Sequence, residues 1–259
     1  MRRAAALAAV VVLSGCAGSR AAPTQTVPGY LENADYAALS VSPPVAAFEP
    51  DAAAFDEVRP GTDRWWLAVA HAELRAPFAA QHFDCAIGAR LNERPRPALS
   101  RLMSRLLADA DALARRLSAD HHRPRPVAAI PGLEPCQRAD EAMRASPSWP
   151  AAGAVAGAAY GELFSGLASD RAEAVRRIGQ EIGRSRAICR MNWPADAVDG
   201  QALGRSLYAA AAREPAFQAD LSAAQAEVAA ARAEGLTSPG CAAERRALSQ
   251  AGRGAASAP

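Results

Sequence analysis

The 259-residue chain contains no lysine, so every one of its 29 basic side chains is an arginine. Aromatic residues are also scarce, at 5% of the sequence, and no dense run of basic residues occurs. With a formal net charge of +2, the chain lacks the basic stripe that nucleic-acid-binding proteins carry, so we predict no nucleic-acid partner. The cysteine and histidine spacings that bind zinc are missing as well, and we predict neither a metal nor another cofactor.

Half of the sequence is hydrophobic and alanine is abundant, a composition typical of helices that pack closely through small side chains. Apolar residues recur at helical spacing through the middle of the chain, whereas strand-like alternation stands out nowhere. A helix predicted to begin at Pro150 carries Gly153, Gly157 and Gly161 four residues apart, which lets a partner helix approach. The sequence therefore predicts an all-α fold, with a single helical-bundle domain over residues 61–236.

The two ends of the chain are predicted to lie outside this domain. Residues 1–15 have the charged start and short apolar run of a secretory signal, too short to span a bilayer as a mature helix. Residues 16–60 are rich in proline, alanine and serine, and we interpret them as a tether followed by an extended arm on the domain. Residues 237–259, which hold Cys241, are expected to form a tail without regular structure.

The signal ends in Leu13-Ser14-Gly15-Cys16, which resembles the lipobox of bacterial lipoproteins. Cleavage before Cys16 and acylation of that residue would attach the protein to a membrane through buried acyl chains. Since an alanine rather than an aspartate follows the cysteine, we predict a periplasmic lipoprotein anchored in the outer membrane of the cell envelope. An ordinary signal peptide cut near Ala22 is the alternative.

Four cysteines remain in the predicted mature chain once Cys16 is set aside. An even number of cysteines in an exported protein suggests two structural disulfides, and three pairings are possible. The candidates are Cys85, Cys136, Cys189 and Cys241.

Three short segments have the order and spacing of one enzyme family's signatures. Residues 185–196 read S-R-x5-N-x3-D, residues 118–126 read S-x6-R-P, and residues 147–150 read P-S-W-P. They resemble S-R-x5-H-x3-D, K-x6-R-P and P-S-G-H of the class A bacterial non-specific acid phosphatases, in the phosphatidic acid phosphatase type 2/haloperoxidase superfamily. The resemblance covers residues 64–233 and implies that superfamily's helical-bundle fold.

The resemblance also implies roles for single residues. In the family the third-signature histidine is the nucleophile and the second-signature histidine is the acid, but here Asn192 and Pro150 stand at those positions. Asp196 stands where the family has the aspartate that orients the nucleophile. The family's phosphate-binding positions hold two arginines and a serine, while its lysine and glycine positions hold other residues. These five positions are Arg125, Ser148 and Arg186, then Ser118 and Trp149.

An asparagine amide has no basic lone pair on nitrogen, so Asn192 cannot become a phospho-amino acid. Pro150 has neither a proton to donate nor a backbone N–H. We therefore predict a catalytically impaired pseudophosphatase that retains phosphate or oxyanion binding through Arg125 and Arg186. The alternative to retained anion binding is that both arginines pair with acidic side chains such as Asp196.

Two other functions stay open. One is an active phosphomonoesterase that uses His121, His122 or a directly attacking water; the other is an envelope module that binds a ligand or a protein. We do not expect a haloperoxidase, because the haloperoxidases of this superfamily bind vanadium through the histidine that Asn192 replaces. Outside the signatures we expect His71 and His82 to be surface or helix-packing residues, and the Trp65-Trp66 pair to make core and arm contacts.

Overall fold

The computed structural model describes residues 27–41 and 55–254. Helices dominate these residues, which contain no β-strand, and the predicted all-α fold is confirmed. The helices are α1 (Asn33–Ala38), α2 (Asp63–Ala70), α3 (Asp84–Ile87), α4 (Pro97–Ser118), α5 (Pro126–Ala129), α6 (Glu141–Ala145), α7 (Ala152–Leu167), α8 (Ala172–Ile188), α9 (Pro194–Ala211), α10 (Pro215–Ala233) and α11 (Cys241–Gly254). The predicted signal peptide and Cys16 lie outside the described residues.

Helix α7 lies at the centre of the bundle, packed against α8, α9 and α4. Its small residues make the approach of α8 possible, because a Cβ added to Gly157 would lie 2.6 Å from Ile182 Cγ2. On the facing helix, a Cβ added to Gly179 would lie 2.5 Å from the Gly157 carbonyl oxygen. Within the described ranges, no helix combines the length and apolar character needed to cross a bilayer. The glycine face predicted from the sequence is therefore a packing face inside the bundle.

Residues 27–41 lie on the surface of α4, held by one buried carboxylate. The backbone N–H of Tyr30 donates to both Asp109 oxygens at 2.8 and 3.1 Å, and the Tyr36 hydroxyl donates to Asp109 Oδ1 at 2.6 Å. Position 29 requires glycine, because a Cβ added there would lie 1.8 Å from Asp109 Oδ1. Asp109 is wholly buried, so these neutral donors compensate its desolvation.

Two predicted boundaries differ from the structure. Helix α7 begins at Ala152 rather than Pro150, because Ala151 is extended and donates its N–H to the Asp196 carbonyl oxygen at 3.2 Å. The expected irregular tail after residue 237 instead contains α11, which packs on α2 and buries Ala247. At the start of α2, the Thr62 hydroxyl accepts from the Trp65 N–H at 3.3 Å and caps the helix.

Two disulfides are present, as predicted, and the structure selects one of the three possible pairings. Cys85 is bonded to Cys241, which ties α11 to the body of the domain. Cys136 is bonded to Cys189, which ties the loop after α5 to the end of α8.

Candidate functional site: the three signature segments

The three segments meet where the loop after α4, the loop before α7 and the α8–α9 junction converge. The backbone N–H of Ser148 donates to the Arg123 carbonyl oxygen at 2.7 Å, which joins the first two segments. The Ala151 N–H bonds the Asp196 carbonyl oxygen, which joins the second segment to α9. The order and spacing read from the sequence therefore correspond to a real convergence of residues distant along the chain.

Asp196 is wholly buried and both of its carboxylate oxygens are engaged. Arg123 Nη1 donates to Oδ1 at 2.8 Å, and the Ser148 hydroxyl donates to Oδ2 at 2.6 Å. Burial raises the pKa of Asp196, while the Ser148 hydrogen bond and the Arg123 charge oppose that rise. The pairing of Arg125 and Arg186 with Asp196, considered from the sequence, does not occur, because Arg123 takes the carboxylate.

Asn192, at one family histidine position, and Trp149, next to the other, are both held by hydrogen bonds inside the protein. The Asn192 amide is 2% exposed and donates from Nδ2 to the Ser148 carbonyl oxygen at 2.6 Å. Trp149, next to Pro150, is 1% exposed and donates from Nε1 to Asp199 Oδ2 at 2.8 Å. Its indole is thus buried and directed toward α9, in a segment where the family has glycine.

Arg125 and Arg186 have no ion-pair partner in the part of the chain that the structure describes. Arg125 donates from Nε to the Ser146 hydroxyl at 2.9 Å and from Nη1 to the Met191 carbonyl oxygen at 2.8 Å. Arg186 donates from Nη1 to Gln137 Oε1 at 2.9 Å, and its Nε is buried without a hydrogen-bond partner. Burial, followed by the positive charge of Arg125, lowers the pKa of Arg186 to about 10.

Arg186 lies against the first turn of α7. A Cβ added to Gly153 would lie 2.8 Å from Arg186 Cδ, so the glycine leaves room for the arginine side chain. The N-terminus of a helix carries a partial positive charge that favours anions. On the opposite side, the loop that carries Gln137 is held by the Cys136–Cys189 disulfide and by the Cys136 N–H, which bonds the Cys189 carbonyl oxygen at 3.2 Å.

The remaining predicted residues lie at the edge of this arrangement or away from it. Ser118, at the family lysine position, donates to the Arg115 carbonyl oxygen at 3.2 Å at the end of α4. His121 and His122 are exposed, and the His121 ring lies edge-on to Trp149 with 5.5 Å between centroids. Ser185 faces another region and accepts from Arg64 Nη1 at 3.0 Å.

Sequence reasoning missed two residues of the site, Arg123 and Gln137. Arg123 lies two residues before the signature Arg125, and that proximity was the signal that could have singled it out. Gln137 had one signal, its place beside Cys136, whose partner Cys189 lies inside the third signature. Both residues contribute contacts that only the folded chain creates.

Comparison with known proteins finds relatives along most of the chain, although no protein-family model matches it. The non-specific acid phosphatase of Providencia stuartii is 28% identical over 210 residues, which cover 77% of this chain and 84% of the relative. That of Salmonella typhimurium is 27% identical over 170 residues, 65% of this chain and 68% of the relative. The acid phosphatase of Zymomonas mobilis is 26% identical over 205 residues, with 77% and 78% covered.

These relatives support an acid-phosphatase-like fold for the helical bundle. The relatives support the placement of this chain in the non-specific acid phosphatase family, and the phosphatidic acid phosphatase type 2 superfamily is consistent with that placement.

Proposed function

We propose that this protein is a cell-envelope pseudophosphatase that binds phosphate or a phosphorylated ligand without hydrolysing it. The observation that carries the proposal is the pair Arg125 and Arg186, which has no described acid partner beside a nucleophile position filled by Asn192. The two arginines are present in a region where the histidines of the family's phosphoryl transfer are absent.

The absence of chemistry follows from the residue types and their contacts. Phosphoryl transfer through the enzyme needs a nucleophile and an acid for the leaving oxygen. The Asn192 amide is committed to the Ser148 carbonyl oxygen, and Pro150 has no proton to give. Loss of a nucleophile alone can lower kcat on the order of a millionfold.

The retained binding rests on geometry and charge. Guanidinium groups match the oxygens of phosphate with paired donors, and charge-assisted hydrogen bonds of this kind are strong. Arg186 has a buried Nε without a partner and lies on the first turn of α7. Because burial and the charge of Arg125 both disfavour the charged Arg186, a dianionic ligand between the two arginines would relieve an existing electrostatic cost.

Ligand binding is tested by thermal unfolding with inorganic phosphate and with vanadate. Both anions are expected to raise the Tm of the wild-type protein, and Arg186→Ala is expected to remove the rise. Arg176→Ala is the matched control, since Arg176 lies on the same helix and pairs with Glu162 on the surface at 2.8 Å. The absence of any shift in the wild type would overturn the binding half of the proposal.

Catalysis is tested with p-nitrophenyl phosphate from acidic to neutral pH. The wild type is expected to be inactive, and Asn192→His/Pro150→His to gain slow turnover. The gain should be limited, because a restored histidine must compete with Arg123 and Ser148 for Asp196. Wild-type turnover that is lost in Arg186→Ala would overturn the pseudoenzyme assignment.

An active phosphomonoesterase is the second candidate, favoured by the acid phosphatase relatives and by the exposed His121 ring beside Trp149. It predicts wild-type turnover that disappears in His121→Ala/His122→Ala. The same double variant of a pseudophosphatase would have unchanged phosphate binding and no activity to lose.

Attachment to the membrane through acylated Cys16 is part of the proposal and is supported by the lipobox-like sequence. It is tested by fractionating cells that express the full chain. Wild-type protein is expected in the outer-membrane fraction and Cys16→Ala in the soluble periplasm. If wild type and Cys16→Ala were found in the same fractions, attachment through an acylated Cys16 would be contradicted.

A further inference from the structure

A second polar region lies away from the signature segments, in a cleft between α2, α3 and α11. Its volume is about 350 Å³, and its wall includes Trp66, His71, His82, Asp84 and Glu244. Pockets of this order of size bind small organic molecules. The Cys85–Cys241 disulfide fixes α11 as one wall, so the cleft belongs to the folded domain.

The two adjacent tryptophans differ in exposure. Trp65 is 6% exposed, as a core residue should be, but Trp66 is 60% exposed and lies on the wall of the cleft. An indole exposed on a cleft wall offers apolar area and a ring face that a ligand in the cleft can cover. The described arm residues 27–41 lie on α4 instead, so they do not account for this indole.

His71 presents a hydrogen-bond acceptor to the cleft. Its Nδ1 lies 2.8 Å from Ser185 Oγ, which already donates its own proton to the Glu181 carbonyl oxygen and accepts from Arg64. Nδ1 must therefore carry the proton, and burial holds the pKa of His71 well below its usual value, which keeps the ring neutral. In this tautomer Nε2 is the ring nitrogen that carries the lone pair.

His82 presents a second acceptor for the same reason. Its Nε2 lies 2.8 Å from the Glu73 carbonyl oxygen, which can only accept, so Nε2 carries the proton. Burial lowers the pKa of His82, which favours the neutral ring and leaves Nδ1 as an acceptor with no described partner. The two imidazoles are 1% and 5% exposed, and their rings lie edge to face with 5.1 Å between centroids.

Two carboxyl groups complete this set of acceptors. Asp84 is 7% exposed, and only its Oδ1 is engaged, by the Leu91 N–H at 2.9 Å. Glu244 has no ion pair in the described chain. Burial raises the pKa of Asp84 to about 6 and that of Glu244 to about 7, and the charge of Asp84 adds to the second shift. The charges of Arg90 on Asp84 and of Arg245 on Glu244 oppose these shifts without forming an ion pair. Glu244 also borders a neighbouring pocket that Arg171 and Arg177 line.

The third carboxylate on the cleft wall is already compensated. Asp63 lies 3.6 Å from Arg246 and is half exposed, so this pair contributes little net charge. No arginine is among the residues that line the cleft. The unbalanced groups are thus two neutral imidazole nitrogens and two carboxyl groups, all of which can accept hydrogen bonds.

We propose that this cleft binds a small organic cation that carries N–H donors and an apolar stem, such as a primary alkylamine. With three N–H donors, the ammonium would pair with the Asp84 and Glu244 carboxyl groups and donate to one of the two imidazoles, and the stem would cover the Trp66 indole. Cations are also attracted to the face of a tryptophan ring. An alkylammonium thus matches both carboxyl groups, one imidazole and the exposed indole together.

The probe is n-butylamine, with 1-butanol as the neutral molecule of matched shape. Binding is followed by tryptophan fluorescence, because the other three tryptophans are at most 6% exposed and Trp66 is the one that reaches solvent. At pH 8 butylamine is expected to change the fluorescence saturably and butanol is not. Equal responses to both molecules, or no saturable response to the amine, would overturn the proposal.

Two variants separate the site from a general surface effect, with calorimetry as the readout. Trp66→Ala is expected to weaken butylamine binding about fivefold or more, in line with a cation–π contact. Phe78→Ala is the matched control, because Phe78 is 57% exposed but lies outside the cleft wall. An equal loss in both variants would show that no specific site exists.

The pH dependence gives an independent readout. Binding requires ionised carboxylates, so the affinity for butylamine is expected to fall about tenfold or more from pH 8 to pH 5. Glu244→Gln should lower the affinity for butylamine at pH 8 and make that affinity less dependent on pH. Phosphate binding in the signature region should be unaffected by Trp66→Ala, so each of the two proposals can fail without the other. A pH-independent affinity in the wild type would contradict the assigned acceptors.

Discussion

The signature region and the cleft between α2, α3 and α11 differ in the kind of polar group that lacks an ion-pair partner. The signature region presents two cations, Arg125 and Arg186, that have no described acid partner. The cleft presents acceptors, including Asp84 and Glu244, that form no ion pair among the described residues. Both regions lie on parts of the fold held by a disulfide, the Cys136–Cys189 bond in one and the Cys85–Cys241 bond in the other.

The contrast with compensated groups gives this difference its meaning. Asp109 and Asp196 are both wholly buried and both have partners. The Asp109 oxygens accept from Tyr30, Leu31 and Tyr36, and the arm is thereby attached to α4. Buried polar groups in proteins are normally satisfied in this way, because an unsatisfied one costs free energy. A group that stays unsatisfied in a folded domain therefore indicates a ligand of complementary chemistry more strongly than a satisfied one does.

The largest expected effect concerns Asp196, which our comparison assigns to structure rather than to catalysis. Asp196→Ala removes the partner of Arg123 and of the Ser148 hydroxyl, and we expect the free energy of unfolding to fall by about 3–5 kcal/mol. Urea unfolding followed by far-UV circular dichroism measures the change.

The control for this variant is Asp170→Ala, because Asp170 forms a solvent-exposed pair with Arg232. A solvent-exposed pair of this kind contributes little to stability. If Asp196→Ala were no more destabilising than Asp170→Ala, Asp196 would not be the structural centre of the signature region. Its catalytic assignment would then need to be reopened.

A smaller effect of opposite sign is expected at Arg186. Arg186→Met removes a buried cation that has no ion pair and keeps a side chain of similar length, so the ligand-free protein should gain about 1–2 kcal/mol of stability. The same variant should lose the Tm rise produced by phosphate. Chemical unfolding with and without phosphate measures both quantities.

The matched substitution Arg176→Met, on the exposed face of the same helix, should leave phosphate binding intact and should not stabilise the protein. A loss of stability in Arg186→Met would mean that the Gln137 contact, rather than the uncompensated charge, dominates at this position. The signature region would then resemble the compensated Asp109 site, and the comparison would fail.

Much of the fold could be predicted from the sequence, because its determinants are local or repeat along the chain. Helical spacing predicted the long α4, and the glycines four residues apart predicted the close face of α7. The helix α11 was missed, since its small polar surface residues resemble a tail and its stability depends on a disulfide to Cys85, 156 residues away. Long-range covalent constraints of this kind leave no local pattern.

The candidate site was predictable in its residue types but not in its pairings. Signature spacing identified Arg125, Arg186, Asn192 and Asp196 before any coordinates. That Arg123 would hold Asp196 depends on how the loop after α4 folds back against α9. The cleft beside α11 left no sequence signal, because its residues come from three separate segments and its acceptors are identified only by the contacts that fix each imidazole proton.

The smallest expected effect is a pH dependence of stability that distinguishes the two regions. The folded-state pKa values of Asp84 and Glu244 are raised above their unfolded values, so the folded protein binds more protons than the unfolded chain between about pH 4 and 7. Their contribution is fully present at acidic pH and is lost as the pH rises through about 6 and 7. These two carboxyl groups should therefore lower the Tm from pH 5 to pH 8, while the lowered pKa values of His71 and His82 act against this fall.

Glu244→Gln tests the assignment of this slope. The variant should reduce the fall in Tm measured by calorimetry, while a remaining part comes from Asp109 and Asp196, whose pKa values burial also raises. Arg186 keeps its charge throughout this range because its pKa is about 10, so Arg186→Met should leave the slope unchanged. A slope that is equal in wild type and Glu244→Gln would mean that the cleft carboxyl groups are compensated after all, which would remove the reason for an organic cation to bind there.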